Sequence, residues 1–238
     1  MAKHGKRYDA AQAQIAPGGN YRPLDAFRLL VTQEVARFDT TVEAHFRLGV
    51  NVRHAEEQLR GTITLPHGTG RSVTVLVFAE GEKAREATEA GAQHVGGEDL
   101  VKKIEEGFTD FDVAIATPDM MVAVGRLGRV LGPSGKMPNP KTGTVTFDVG
   151  KAVSEVIGGK VEYRTDRAGI VHMGLGKRSF TPEQLTENYA VVLDEILRAK
   201  PASAKGKYIL SVSVAQTMGP GIDIDPQYTK NLLEEASA

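Results

Sequence analysis

"RSVTVLVFAEG", Arg71–Gly81, decides the fold. Its apolar run from Val75 to Ala79 leaves no polar side, which is how a strand buried on both faces reads. Such a strand needs helices above and below its sheet, and the residues that follow supply them. "EKAREATEAGA" (82–92) is a polar, Ala-rich helical pattern, and "HVGGEDLVKKIEEGF" (94–108) gives a short strand followed by a helix. "DVAIATPD" (112–119) is a second buried strand, with Pro118 and Asp119 placed to open the next helix. Alternation at this spacing predicts parallel crossovers and a small three-layer α/β unit.

Outward from this unit the pattern changes to period two. In "TVEAHFRLGV" (41–50), Val42, Ala44, Phe46, Leu48 and Val50 face one way, with Thr41, Glu43, His45 and Arg47 opposite. "GTITLP" (61–66), "KVEYRT" (160–165), "GIVHM" (169–173) and "YILSVSVA" (208–215) repeat the habit; in the last, Leu210, Val212 and Val214 oppose Ser211 and Ser213. Strands of this kind predict an antiparallel sheet with one covered face. "LDAFRLLVTQEVARF" (24–38) and "TPEQLTENYAVVLDEILRA" (181–199) read as the covering helices, the first with Leu24, Phe27, Leu30, Val31, Glu34 and Val35 at helical spacing. The expected architecture is α+β with two domains. A split α/β sandwich domain from both chain ends (1–66 and 160–238) is interrupted by a Rossmann-like three-layer α/β domain (67–159), with crossings near His67–Gly70 and Gly158–Lys160.

With 238 residues, 41% hydrophobic and 25% charged, the chain has the composition of a globular protein with a real core. Cysteine is absent, which excludes a thiol nucleophile and a Cys-ligated metal. No apolar run approaches the roughly 20 residues of a membrane span. The basic start "MAKHGKRYDAAQAQ" has no apolar segment behind it, so it does not read as a signal peptide. A soluble cytoplasmic protein without membrane contact is expected. The net charge of −1 advertises no polyanion partner, but its distribution is uneven. Residues 66–125 carry 5 basic against 11 acidic side chains, while 126–160 carry 6 against 2. An anionic partner must be held by local patches.

The enzyme motifs fail one by one. In "LGRVLGPSGKMPNPKTGTV" (127–145), Gly135 and Lys136 fit a phosphate loop, but Val130 stands where its first glycine belongs and Met137 where its hydroxyl belongs. Gly68 and Gly70 meet Val73 in place of a third dinucleotide-binding glycine; Gly174 and Gly176 meet Ser179. Histidines 4, 45, 54, 67, 94 and 172 show no H-x-x-x-H spacing, and no G-x-S-x-G elbow occurs. Neither a cofactor nor a metal is expected. The remaining alternatives are a nucleic-acid-binding protein, within a larger assembly or outside one, and a nucleotide-dependent α/β enzyme, which Val130 and Met137 disfavour.

"GRLGRVLGPSGKMPNP" (125–140) closely resembles the signature of the L-one family of large-ribosomal-subunit proteins. "KHGKRY" (3–8), "RFDTTVEAHFRLG" (37–49), "LRGTITLPHGTG" (59–70), "GAQHVGGEDLVKKI" (91–104), "DFDVAIATPDMM" (110–121) and "TMGP" (217–220) resemble further landmarks of that family, in the same order. The resemblance spans essentially the whole chain. It implies a terminal-half domain that is the main RNA-binding unit on a stalk of 23S-type large-subunit rRNA. That stalk lies beside the tRNA exit site of the 50S-type subunit, where its mobility helps deacylated tRNA leave. In bacterial members it also implies repression of the family's own-operon mRNA.

The family's RNA-contacting aromatic carries over to Phe38, with Arg37 and Thr41 beside it; on its residues alone, Phe38 would simply end a helix stripe. "TMGPG" carries over as an RNA-contacting turn through Thr217, Met218, Gly219 and Pro220; alone, it reads as an ordinary strand-ending turn. The charge-rich hairpin "YRTDRAGIVH" contributes Arg164, Asp166, Arg167 and His172, with Lys177 and Ser211 completing the implied surface. Lys3, Lys6 and Arg7 form a basic arm suited to phosphates. Arg126, Arg129, Lys136 and Lys141 belong to a secondary loop, which either meets RNA weakly or only rigidifies a surface segment. Two departures stand out. Asp223 and Asp225 make "GIDIDP" more acidic than the family leads one to expect, and Thr40 occupies a place that is commonly acidic.

Overall fold

A computed structural model describes residues 4–229 and Leu232. In chain order its elements are α1 (Lys6–Gln12), α2 (Pro23–Thr32), β1 (Thr41–Leu48), β2 (Arg60–Thr64), β3 (Val75–Phe78), α3 (Glu82–Glu89), β4 (His94–Gly96), α4 (Glu98–Glu105), β5 (Val113–Ala116), α5 (Met121–Val124), α6 (Gly128–Leu131), α7 (Val149–Ile157), β6 (Lys160–Arg164), β7 (Ile170–Lys177), α8 (Pro182–Arg198), β8 (Ile209–Gln216) and β9 (Ile222–Ile224). The chain resolves into two compact units, one of residues up to Arg71 and from Val161 onward, the other Ser72–Lys160.

In the terminal unit the main sheet has the order β7-β1-β8-β9, and its neighbours are antiparallel. The alternation along β1 is burial: Val42, Ala44, Phe46 and Leu48 are buried, whereas Glu43 and Arg47 are exposed. Their covered face joins Val171, Met173, Leu175, Val212, Val214, Ile222 and Ile224 in one core with Phe27 and Leu30 of α2 and Leu185, Tyr189 and Val192 of α8. Phe46 stacks on Tyr189 with ring centroids 5.6 Å apart, so sheet and helix meet through two fully buried aromatics. Helix α8 begins with a capping box: the Gln184 backbone N–H donates to Thr181 Oγ1, and the Gln184 side chain accepts from the Thr181 N–H. A bulge between Val42 and Glu43 in the β1–β7 pairing accompanies burial of both Leu175 and Gly176. A Cβ on Gly176 would lie 2.7 Å from the Phe180 ring, so only glycine fits there.

The Ser72–Lys160 unit has a parallel sheet of order β4-β3-β5. Alternate residues of the apolar run point into two separate cores. Leu76 and Phe78 pack with Leu100, Val101 and Ile104 of α4 and with Val124, Leu127 and Leu131. Val75 and Val77 pack with Ala87 of α3 and Val149, Val153 and Val156 of α7. Burial on both faces is the physical reason that no polar residue interrupts Val75–Ala79.

Four expectations from the sequence are corrected. The helix expected over 24–38 ends at Thr32, because Gln33 turns extended (φ −77°, ψ 118°) and its side chain is buried. Among the described residues, "GTITLP" and "KVEYRT" meet the main sheet only through one bridge, Thr165 to Val171; β2 and β6 form a two-stranded sheet of their own. Leu210 is exposed, because a register shift beside Leu48 puts Ile209 opposite Leu48 and into the core instead. The stretch 127–145, read as a loop, contains helical turns at Gly128–Leu131 and Pro140–Thr142 and continues one at Gly125–Leu127; Leu127 and Leu131, four residues apart, are both buried.

Candidate nucleic-acid interface

The uncovered face of the main sheet is built from the period-two partners of the core. Across it, Thr41 pairs with Lys177, His45 with His172 and Ser213, and Arg47 with Ser211, while Ser213 pairs with Asp223. Register therefore gathers five residues named from the sequence (Thr41, His172, Lys177, Ser211 and Thr217) along one face or its end.

At the end of the sheet, the Thr217 N–H donates to the Thr41 carbonyl (3.0 Å) and the Thr41 N–H donates to Thr217 Oγ1 (3.2 Å). The Lys177 ammonium donates to Thr41 Oγ1 (3.0 Å). Beyond Thr217, Met218 takes φ 66°, the one non-glycine among the described residues with a positive φ, and it is 74% exposed. A left-handed residue costs free energy unless its surroundings hold it, and such strain concentrates at ligand-contacting turns. Gly219 N–H closes the turn on the Gln216 carbonyl (2.8 Å), and Pro220 is buried beneath it. Phe38 projects from the neighbouring segment with 59% of its surface exposed and Arg37 exposed beside it. The segment holding Phe38 is tied down on its far side. Asp39 accepts from the Ser179 N–H (3.1 Å) and Oγ (2.8 Å), and the Arg178 N–H donates to the Thr40 carbonyl (2.8 Å). An exposed aromatic on a fixed backbone offers a stacking plane at low entropic cost.

In the middle of the face, His45 Nδ1 and His172 Nδ1 lie 2.9 Å apart. One ring must donate and the other accept, so both cannot be fully protonated in this geometry. Burial, then the neighbouring His172, holds the His45 pKa below its ordinary value, and Glu43 opposes them. Asp166 Oδ1 accepts from the Ala168 and Ile170 N–H groups (both 2.8 Å), and its Oδ2 is 3.3 Å from His172 Nε2. The amide of Ile170 is the main cause that depresses its pKa. Asp166 thus shapes the β6–β7 turn and presents Arg167, with Arg164 on the adjoining strand; both arginines are exposed. Lys6 and Arg7 are exposed on α1, whereas Lys3 lies outside the described residues.

The secondary loop divides. Arg126, Arg129 and Lys141 are exposed on their helical turns. Lys136 is committed inward: its ammonium donates to the carbonyls of Thr109 (3.0 Å) and Phe111 and sits 5.0 Å from the Phe111 ring centroid. The amides a phosphate cradle would need are also spent, with Gly132 N–H on the Gly128 carbonyl, Gly135 N–H on Gly132 and Lys136 N–H on Leu131. Among the described residues there is no group of three or more His, Asp or Glu arranged to hold a metal ion, and no helix is long and apolar enough to cross a membrane.

Sequence reasoning passed over Glu43, His45, Arg47 and Ser213 as site residues, although the alternation already put them on this face. Thr40, Gln33 and Gln216 are buried polar residues beneath the exposed surface, and nothing in the local pattern marks them.

Hydroxyls, imidazoles and cations share this face with the exposed carboxylates of Glu43 and Asp223, and at its end stand an exposed aromatic and a turn with a left-handed residue. The chain belongs to the ribosomal protein L1p/L10e family, whose model matches residues 30–220. It is similar to the large ribosomal subunit protein uL1 of Frankia alni, 56% identical over 234 residues and 98% of each chain. It is likewise similar to the proteins of that name from Frankia casuarinae (55% over 236 residues, 99% of each chain) and Rhodococcus erythropolis (54% over 237 residues, 100% of this chain and 99% of the other). The family is one of structural proteins, not enzymes.

Proposed function

We propose that the protein is a constituent of the large ribosomal subunit in the cytoplasm, where its terminal unit grips a stalk of large-subunit rRNA and Ser72–Lys160 is an inserted secondary domain. The observation that carries this reading is similarity of 54–56% over nearly the whole chain to proteins named large ribosomal subunit protein uL1. The exposed Phe38 and Met218 beside the linked Thr41, Lys177 and Thr217 support it chemically. Folded RNA is recognised by shape, by contacts to phosphate and 2′-hydroxyl, and by stacking on unpaired bases. Phe38 stacks, Thr217 and Ser211 serve 2′-hydroxyls, Lys177, Arg164 and Arg167 neutralise phosphates, and His172, whose ring nitrogens face His45 and Asp166, meets RNA with its exposed ring. Lys6, Arg7 and Arg37 add phosphate contacts at the periphery. In the inserted domain, Arg126, Arg129 and Lys141 supply weak phosphate contacts.

Holding the stalk beside the tRNA exit site lets its movement assist release of deacylated tRNA. The same surface binds a similar fold in the messenger of the protein's own operon, which represses synthesis once rRNA sites are filled. The test is affinity for a stalk rRNA fragment against a scrambled RNA of equal length, titrated in salt. Selective binding with a modest salt slope supports the reading, because the slope grows with the number of phosphates neutralised. Equal, steeply salt-dependent binding to both RNAs refutes it. For repression, an operon-leader fragment must compete with the stalk fragment, and Phe38→Ala must weaken both.

A further inference from the structure

We infer that Gln216, buried and touching no solvent-facing ligand itself, is the positioning residue that aligns the two RNA-contacting segments. The inference rests on the reading of Phe38 and the Thr217–Pro220 turn as an RNA interface. Gln216 is 3% exposed, and its side chain meets three groups on the Phe38 side of the molecule. Its Oε1 accepts from Thr40 Oγ1 (2.9 Å), and its Nε2 donates to the carbonyls of Leu30 (3.4 Å) and Gln33 (3.0 Å). Those two carbonyls lie at the C-terminal end of α2, where Leu30 also accepts the Gln33 N–H (3.2 Å) and Gln33 also accepts from the Arg178 guanidinium (3.2 Å). Gln216 therefore bonds both the end of α2 and Thr40, the two flanks of the segment that carries Arg37 and Phe38, with Arg178 as a second donor at Gln33.

The same residue holds the turn. Its backbone carbonyl accepts the Gly219 N–H (2.8 Å), and a Cβ on Gly219 would fall 2.6 Å from Gln216 Cγ. The turn that presents Thr217 and Met218 thus packs directly on the Gln216 stem. One buried amide lies between the two segments and bonds or packs on both. Thr40 supplies the neutral hydroxyl this amide accepts from. If the aligned state is lost most of the time, apparent affinity falls by the fraction that remains competent, without any RNA contact being removed.

The test uses the full chain and the stalk rRNA fragment, with Gln216→Met to keep shape and remove the hydrogen bonds, and Gln216→Glu as a second variant. Gln216→Met is expected to weaken stalk binding about tenfold, as a fall in competent fraction to roughly a tenth would do. It should also speed amide exchange over residues 37–41 in the RNA-free protein. Placed on Phe38→Ala, it should cost markedly less than it does alone, because it acts through that segment. In Gln216→Glu, the ionised acid repels the two carbonyls; protonation restores a donor, so its affinity relative to the unaltered protein should recover as pH falls from 8 to about 5.5. Selective binding by the unaltered protein with unchanged affinity in Gln216→Met overturns this inference alone. So does fully additive loss in the double variant, unchanged exchange over 37–41, or no acid recovery in Gln216→Glu. Failure of the unaltered protein to prefer the stalk overturns the proposed function and this inference together.

Discussion

Truncating Phe38 separates a binding role from a structural one. A phenylalanine buries on the order of 200 Å² when fully covered, so 59% exposure leaves about 120 Å² for RNA to cover. At ~25 cal/mol per Å² this amounts to about 3 kcal/mol as an upper bound. Base–aromatic stacking measured by alanine substitution runs at about 1–3 kcal/mol, and the two scales agree on roughly 2 kcal/mol, or about thirtyfold in Kd. Because the ring is not part of the terminal unit's buried core, Phe38→Ala should change unfolding stability by no more than ~0.5 kcal/mol. The paired assay is fluorescence anisotropy with labelled stalk rRNA and urea unfolding of the same preparation. Thirtyfold weaker binding at unchanged stability supports a stacking platform. Wild-type affinity refutes it. A stability loss of 2 kcal/mol or more would show instead that the ring closes the end of α2, as its sequence position alone suggested.

Three further substitutions probe separate parts of the molecule. Lys177→Met should lower the slope of log K against log salt by about 1 if the ammonium neutralises a phosphate; an unchanged slope would make Lys177 only a strut on Thr41. Phe46→Ala removes a fully buried ring stacked on Tyr189 and should cost ~3–5 kcal/mol in urea unfolding, while a loss below about 1 kcal/mol would contradict the packing described. His45 has a folded-state pKa below its ordinary 6.5, so the unfolded chain takes up a proton first. Its contribution is fully present above pH 6.5 and is lost as pH falls from there toward the folded value. His45→Gln should flatten the stability–pH curve in that window, and an unchanged curve would deny that burial holds His45 neutral.

Much of the architecture was legible because burial imposes a period on the chain. The run Val75–Ala79 is apolar throughout because its residues serve two cores, and β1 alternates because it serves one. Register was less legible. "YILSVSVA" alternates faithfully, yet the shift beside Leu48 exposes Leu210 and buries Ile209, since a bulge is a property of two strands together. Lys136 reads as a loop cation for phosphate, but the fold turns its ammonium onto the carbonyls of Thr109 and Phe111, partners more than twenty residues away.

By itself, the sequence determined the class of most segments, the absence of cysteine and of a phosphate-loop motif, and a resemblance that the family match upholds. Tertiary structure alone decided that His45 faces His172, that Lys177 and Thr217 both bond Thr41, and that Gln216 bonds Thr40 from 176 residues along the chain. The reason is physical. Hydrophobic periodicity reports which side of a segment leaves water, a local property repeated every two or 3.6 residues. The partner of a buried polar group carries no period, because hydrogen-bond satisfaction is settled by whichever distant strand or helix end comes to lie within reach.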